Sequence, residues 1–143
     1  MYIVKVEIAT PDEDMKQSTD LKVTVTAGDV AVRVRRFNPD FCDKKYHDLT
    51  IRAFNEGYKT ELDKLQEGFA RWYLYAWANV NGGFNDWILV DIDKMRESGL
   101  FDTNRKVKMN KDGTTGFVAY NLSELVNVDA LVAWKEQNDP NRF

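Results

Sequence analysis

Cysteine and histidine are all but missing: Cys42 and His47 stand alone among 143 residues. A single cysteine excludes an intramolecular disulfide, and no Cys/His cluster has the spacing of a zinc site. One thiol in a chain of this size fits a reducing cytoplasm. Long apolar runs are missing too. No stretch approaches the ~20 residues of a membrane-spanning helix, and Met1 to Glu7 lacks the cationic stretch and apolar run of a signal peptide. A soluble, cytoplasmic protein with no membrane partner is expected. Positive charge is not in excess, since 20 Lys and Arg stand against 23 Asp and Glu for a net charge of −3. That leaves no global attraction to nucleic acid, so any such contact must come from a local basic patch. There is no Gly-rich phosphate loop, no Gly-x-Ser-x-Gly elbow and no Ser or Cys nucleophile context. Nor does any repeat, low-complexity segment or Pro/Ser-rich linker divide the chain.

What is present suffices for one globular domain over residues 1–143, with 43% hydrophobic and 13% aromatic residues to fill a core. Tyr2 to Ile8 alternates as a strand. Thr10-Pro11-Asp12-Glu13 carries helix-start signals, for a short helix over Pro11 to Gln17. Leu21 to Ala27 and Val30 to Phe37 read as two strands around a Gly28-Asp29 turn. A loop over Asn38 to Asp48 leads to a strand at Leu49 to Phe54. A helix runs from Thr60 to about Gln66, with Gly68 as terminator and Leu62, Leu65 and Phe69 as one apolar stripe. Trp72 to Ala78 is aromatic on both parities, the pattern of a central strand, and Asp86 to Asp91 pairs back onto it. A short helix over Asp91 to Gly99, a hairpin loop around Lys111 to Gly113, a strand at Gly116 to Tyr120 and two helices, Leu122 to Val126 and Asp129 to Gln137, complete the chain.

The segment Thr19 to Arg36 is the most informative. Asp20 opens one strand, and Arg33 and Arg35 form a polar-x-polar pair on the next. Within a helix-strand-strand-strand-helix-strand order, this layout resembles the PD-(D/E)XK nuclease superfamily over roughly Pro11 to Ala78. Separately, Glu13-Asp14, Thr19-Asp20-Leu21, Val32 to Arg36, Thr50-Ile51-Arg52, Lys59-Thr60-Glu61-Leu62 and Trp72 to Tyr75 look like an uncharacterised family of small phage- and prophage-borne proteins. The element order is buried most naturally as an α/β (α+β) fold, a single mixed β-sheet flanked by helices with an extra strand and C-terminal helices. The superfamily resemblance implies a nuclease-like α-β-β-β-α-β core within it. It also implies Mg²⁺-dependent phosphodiester hydrolysis. Asp20 matches the metal-binding Asp and Glu13 the helix Glu. Arg33 falls where the superfamily has Glu, Asp or Gln, and Arg35 where it has Lys. Here the chain departs from the pattern. Mg²⁺ takes oxygen ligands, which guanidinium cannot supply, and Arg35 can stabilise phosphate charge but cannot act as a base.

Each of these residues has an ordinary alternative. Asp20 can cap a turn, and Glu13 fits a capping box. Arg33, Arg35 and Arg36 form either a phosphate-binding stripe, extended by Lys22, Thr24 and Arg52, or a ladder with acids such as Glu61 or Asp63. Glu61 either supplies the missing carboxylate or pairs with Lys64 one helical turn on. His47 beside Asp48 is a His-Asp pair serving as a general base or a solvated loop histidine. Trp72, Tyr73, Tyr75, Trp77 and Trp87 stack bases or fill the core, and Asp93 reads as a helix cap. Two function classes remain. In the first, a degenerate nuclease-like protein binds DNA or RNA through its arginine strand. Any residual activity would use Asp20 and Glu13 for Mg²⁺, with Asp20, Glu61 and Arg35 as the catalytic set. In the second, a non-enzymatic interaction protein binds a host or phage protein, such as a host defence enzyme. Oligomeric state is left open, an exposed tryptophan among Trp72, Trp77, Trp87 and Trp134 being its one pointer.

Overall fold

The computed structural model describes residues 4–8, 21–25, 29–36, 48–78, 80–81, 83–102 and 104–135. In chain order these form β1 (Val4–Ile8), β2 (Leu21–Val25), β3 (Val30–Arg35), β4 (Asp48–Asn55), α1 (Glu61–Gln66), β5 (Trp72–Ala78), β6 (Phe84–Asp91) and α2 (Ile92–Glu97). A 3-10 turn (Leu100–Asp102), β7 (Lys108–Met109), β8 (Thr115–Asn121), α3 (Leu122–Asn127) and β9 (Leu131–Lys135) follow. The class is α+β, dominated by strands, and no described helix is long and apolar enough to cross a membrane.

The expected single sheet is divided. A four-stranded sheet has the order β3-β5-β6-β9, a three-stranded sheet β4-β8-β7, and β1 pairs with β2 alone. In the first sheet β3 runs parallel to β5, which is antiparallel to β6, as β6 is to β9. The second sheet is antiparallel throughout. The hairpin expected between β2 and β3 is not formed among the described residues, because β2 takes β1 and β3 takes β5. The β5 partner suits β3 on both faces. Ala31 packs against the main core beside Tyr73, and Val30 joins the second cluster beside Trp72.

The aromatic strand is central, as its two-sided pattern predicts. Tyr73 and Tyr75 face the main core with Leu49, Ile51, Ile88, Val90, Val118 and Tyr120, so both sheets share it. Trp72, Leu74 and Ala76 fill a separate cluster on the other face with Trp87 and Leu89. Each such large apolar side chain stabilises the fold by about 1.5–3 kcal/mol on burial.

Three local endings differ from the sequence expectation. Asp91, not Asp93, caps α2, its carboxylate accepting from Lys94 N–H. Asp129, expected to start a last helix, instead ends α3. It sits at φ 56°, with its N–H donating to Val126 O and that of Ala130 to Leu125 O, the paired bonds of a left-handed helix stop. The chain then turns into β9, where Leu131 packs on the main core and Ala133 on the second cluster. Phe69, expected in the buried stripe of α1, is 67% exposed, while Leu65 is buried. Gly68 at φ 92° reverses the chain before the stripe is complete.

Candidate functional site

Helix α1 begins cleanly. Thr60 caps it by accepting from Asp63 N–H, and Asp63 accepts from Thr60 N–H in return. The backbone and then the hydroxyl of Thr60 hold the Asp63 carboxyl below its ordinary range. That leaves Glu61, the first helical residue, free of any capping duty. Its carboxylate turns to the parallel strands. Arg33 Nη1 donates to Glu61 Oε2 at 2.6 Å, Tyr73 Oη donates to Oε1 at 2.5 Å, and the backbone N–H of Arg52 donates to Oε2 at 3.1 Å. Burial, then the nearby Glu61 charge and its hydrogen bond, push the Tyr73 phenol far above its ordinary value, so it stays a proton donor. Burial works against the Arg33 charge, but Glu61, Tyr73 and Tyr75 outweigh it and hold the guanidinium more firmly protonated. This network lies on a cleft of about 490 Å³ lined also by Arg52, Lys59, Lys64 and Phe69.

A second cleft, of about 540 Å³, shares Arg33 and Arg52 with the first and adds Arg35 and Arg36. Thr50 and Tyr75, hydroxyls 2.7 Å apart and buried, line it with Phe117. Among the described residues no carboxylate lines this cleft. Arg35 is tied to Asp48 at 2.8 Å. The guanidiniums of Arg36 and Arg52, both on exposed residues, have no carboxylate partner among the described residues. The strand that supplies two of these arginines is turned opposite to the usual rule. Arg33 and Arg35 are half-buried on the side of Tyr73, Tyr75 and Trp77, whereas Val32 and Val34 are exposed.

Of the residues expected at the site, Arg33, Arg35, Arg36, Arg52 and Glu61 come together. Glu61 meets Arg33, one of the two ladders anticipated, and does not pair with Lys64 in the described contacts. Lys22 sits opposite Glu7 on β2, whose partner is β1, so strand pairing does not bring it to the arginine stripe. Asp20, Glu13, Cys42 and His47 lie outside the described residues. Lys59 and Phe69 were missed as site residues, while Tyr73 was weighed only for base stacking and Asp48 only as the partner of His47. The clue to Tyr73 was a hydroxyl at the parity of Ala31 and Arg33; Asp48 was hidden by its pairing with His47 in the sequence.

The described residues do not fit a Mg²⁺ ion. Glu61 is the one described carboxylate on either cleft, both its oxygens are engaged, and cations surround it. Among the described residues no three His, Cys, Asp or Glu side chains gather as a metal-holding group. What the arrangement can do is bind anions: planar guanidiniums and two ammonium groups converge around concave surfaces. No protein-family model matches the chain, and no curated protein or solved structure is significantly similar to it.

Proposed function

We propose that this protein binds nucleic-acid phosphates in the paired clefts between β3, β4 and α1, as a degenerate nuclease-like protein of the phage type rather than an active enzyme. One observation carries the reading: Arg33, Arg35, Arg36 and Arg52 converge on one cleft that no described carboxylate lines. Arg36 and Arg52 have no carboxylate partner among the described residues, while Arg33 and Arg35 are held in place by Glu61 and Asp48. The nuclease-like frame is supported by the parallel pair β3 and β5, with β4 and α1 between them in the chain and α1 presenting an acid beside Arg33. The saturated Glu61 carboxylate argues for binding over hydrolysis.

A salt titration of labelled oligonucleotide binding tests this. Phosphate contacts release counterions, so affinity falls steeply as salt rises, and Arg36→Ala and Arg52→Ala each shallow that slope. Absence of binding at low salt defeats the proposal. Incubation with Mg²⁺ or Mn²⁺ tests the enzymatic version: cleavage by wild type that Asp20→Ala abolishes would restore it. A protein partner is a second reading, favoured by Val32 and Val34, 60% and 39% exposed on the outward face of the same strand.

A further inference from the structure

We infer that the ligand is single-stranded nucleic acid, with one base held against Phe69 in the cleft of Glu61 and Tyr73. This inference rests on the phosphate-binding reading and adds a second kind of contact to it. Helix α1 ends in a left-handed stop: Gly68 N–H donates to Leu65 O and Phe69 N–H to Lys64 O. An apolar residue at the Phe69 position ordinarily folds back onto the helix it ends. The other two helices obey that rule. Leu100, after the left-handed Gly99, is 9% exposed, and Ala130, after Asp129, is fully buried. Phe69 is 67% exposed. Its ring therefore contributes little to the helix stop, and it lines the cleft that holds Arg33, Arg52, Lys59 and Lys64.

An aromatic face beside cations on a groove is how single strands are held, because every base has a face to stack and every link a phosphate. A duplex hides those faces. The cleft's volume, about 490 Å³, lies within the ~300–1,000 Å³ typical of small-molecule sites and admits a nucleotide. Arg33 and Arg52 line both clefts, so the two adjoin. A strand can then place a phosphate among the arginines and the adjoining base on Phe69. The net charge of −3 confines attraction to this groove, so few phosphates are neutralised. Each contributes ~0.7 to the salt slope for a single strand, and a slope of about −2 is expected.

The test measures anisotropy of a labelled 12-mer, as single strand and as duplex, with wild type, Phe69→Leu, Phe69→Trp and Arg52→Ala. The expected result is single strand bound tighter than duplex. Phe69→Leu weakens single-strand binding about tenfold, in the range of one lost stacking contact. It leaves the salt slope and the duplex affinity unchanged, whereas Phe69→Trp retains binding and Arg52→Ala shallows the slope. Exposure of the ring makes these substitutions safe for folding. Equal affinity for the two forms, or indifference to Phe69→Leu while Arg52→Ala still weakens binding, overturns this inference and leaves the phosphate-binding reading standing. No binding of either form at low salt overturns both.

Discussion

Two Arg–Glu–Tyr clusters stand at the starts of two six-residue helices, and they do different things. At α3, Glu124 accepts from Asn121 N–H at 2.8 Å and from both terminal nitrogens of Arg105. Arg105 also donates to Ala119 O at 2.8 Å and lies 4.1 Å from the Tyr120 ring. Every bond closes on the chain itself, tying a loop, a strand end and a helix start together. At α1 the capping work falls to Thr60 and Asp63, which frees Glu61 to reach across to Arg33, Tyr73 and the backbone of Arg52. That cluster opens onto a cleft whose other described ionisable groups include Lys59 and Lys64. The same three residue types make a staple in one place and, on the binding reading proposed above, a charge regulator in the other. What separates them is whether the acid is already occupied with its own helix.

The largest effect expected is on stability at the α3 cluster. Glu124→Ala removes a charge-assisted pair and the helix start together, at a cost of about 2 kcal/mol. Glu61→Ala should cost about 1 kcal/mol or less, its Arg33 partner remaining within reach of water. Urea unfolding of the two variants measures both. Equal costs would erase the distinction between staple and regulator. Acid sharpens it. The hydrogen bond from Arg105, opposed by burial and assisted by Asn121 N–H, holds the Glu124 carboxyl below its ordinary value. Its contribution is thus present above the ordinary carboxylate range near pH ~4.3 and is lost as pH falls through the lowered value. Glu124→Gln should flatten that part of the acid limb, with the part from Asp63 remaining.

The next effect is on binding, and its sign is the informative part. Glu61→Gln keeps the acceptor for Tyr73 but removes the one described negative charge from a cleft bearing Arg33, Arg52, Lys59 and Lys64. Oligonucleotide affinity at low salt should rise about fivefold, as like charge in the groove is relieved. A fall in affinity would show that Glu61 matters chiefly by aiming Arg33, and would sink its role as regulator.

Much of this architecture is legible in the sequence. Trp72 to Ala78, apolar on both parities, announces a covered strand, and Thr60 three residues before Asp63 announces α1. The faces of β3 are not legible. Alternation of Val and Arg predicts valines inward, yet Arg33 and Arg35 point to Tyr75 and Trp77 because Glu61 and Asp48, distant in sequence, neutralise them there. Period alone cannot locate a counter-ion. Gly68 was legible as the end of α1, but not that the reversal there turns Phe69 out of the stripe, nor that Asp129 takes a left-handed conformation and ends a helix. In both cases one backbone angle overrides a side-chain pattern. The division into two sheets was hidden for a similar reason. Strand pairing is a long-range choice, and β3 and β4 find partners at β5 and β8.

The smallest effects test whether compensation by a neighbour governs the cleft's lysines as it does its arginines. Lys59 is bound to Glu67 at 2.6 Å, both side chains more than half exposed. Such a pair stabilises by less than about 1 kcal/mol, so Lys59→Ala should leave the unfolding midpoint in place. Its effect on oligonucleotide affinity should stay below about twofold, because the charge is already balanced. Lys64 lines the same cleft with no carboxylate partner among the described residues, and Lys64→Ala should weaken binding about threefold. Measured side by side at low salt, the two variants each remove one lysine from the same cleft, one paired and one not. If Lys59→Ala costs as much affinity as Lys64→Ala, pairing does not set which cations reach a ligand. Distance to the strand would then replace compensation as the rule for the whole groove, Arg33 and Arg35 included.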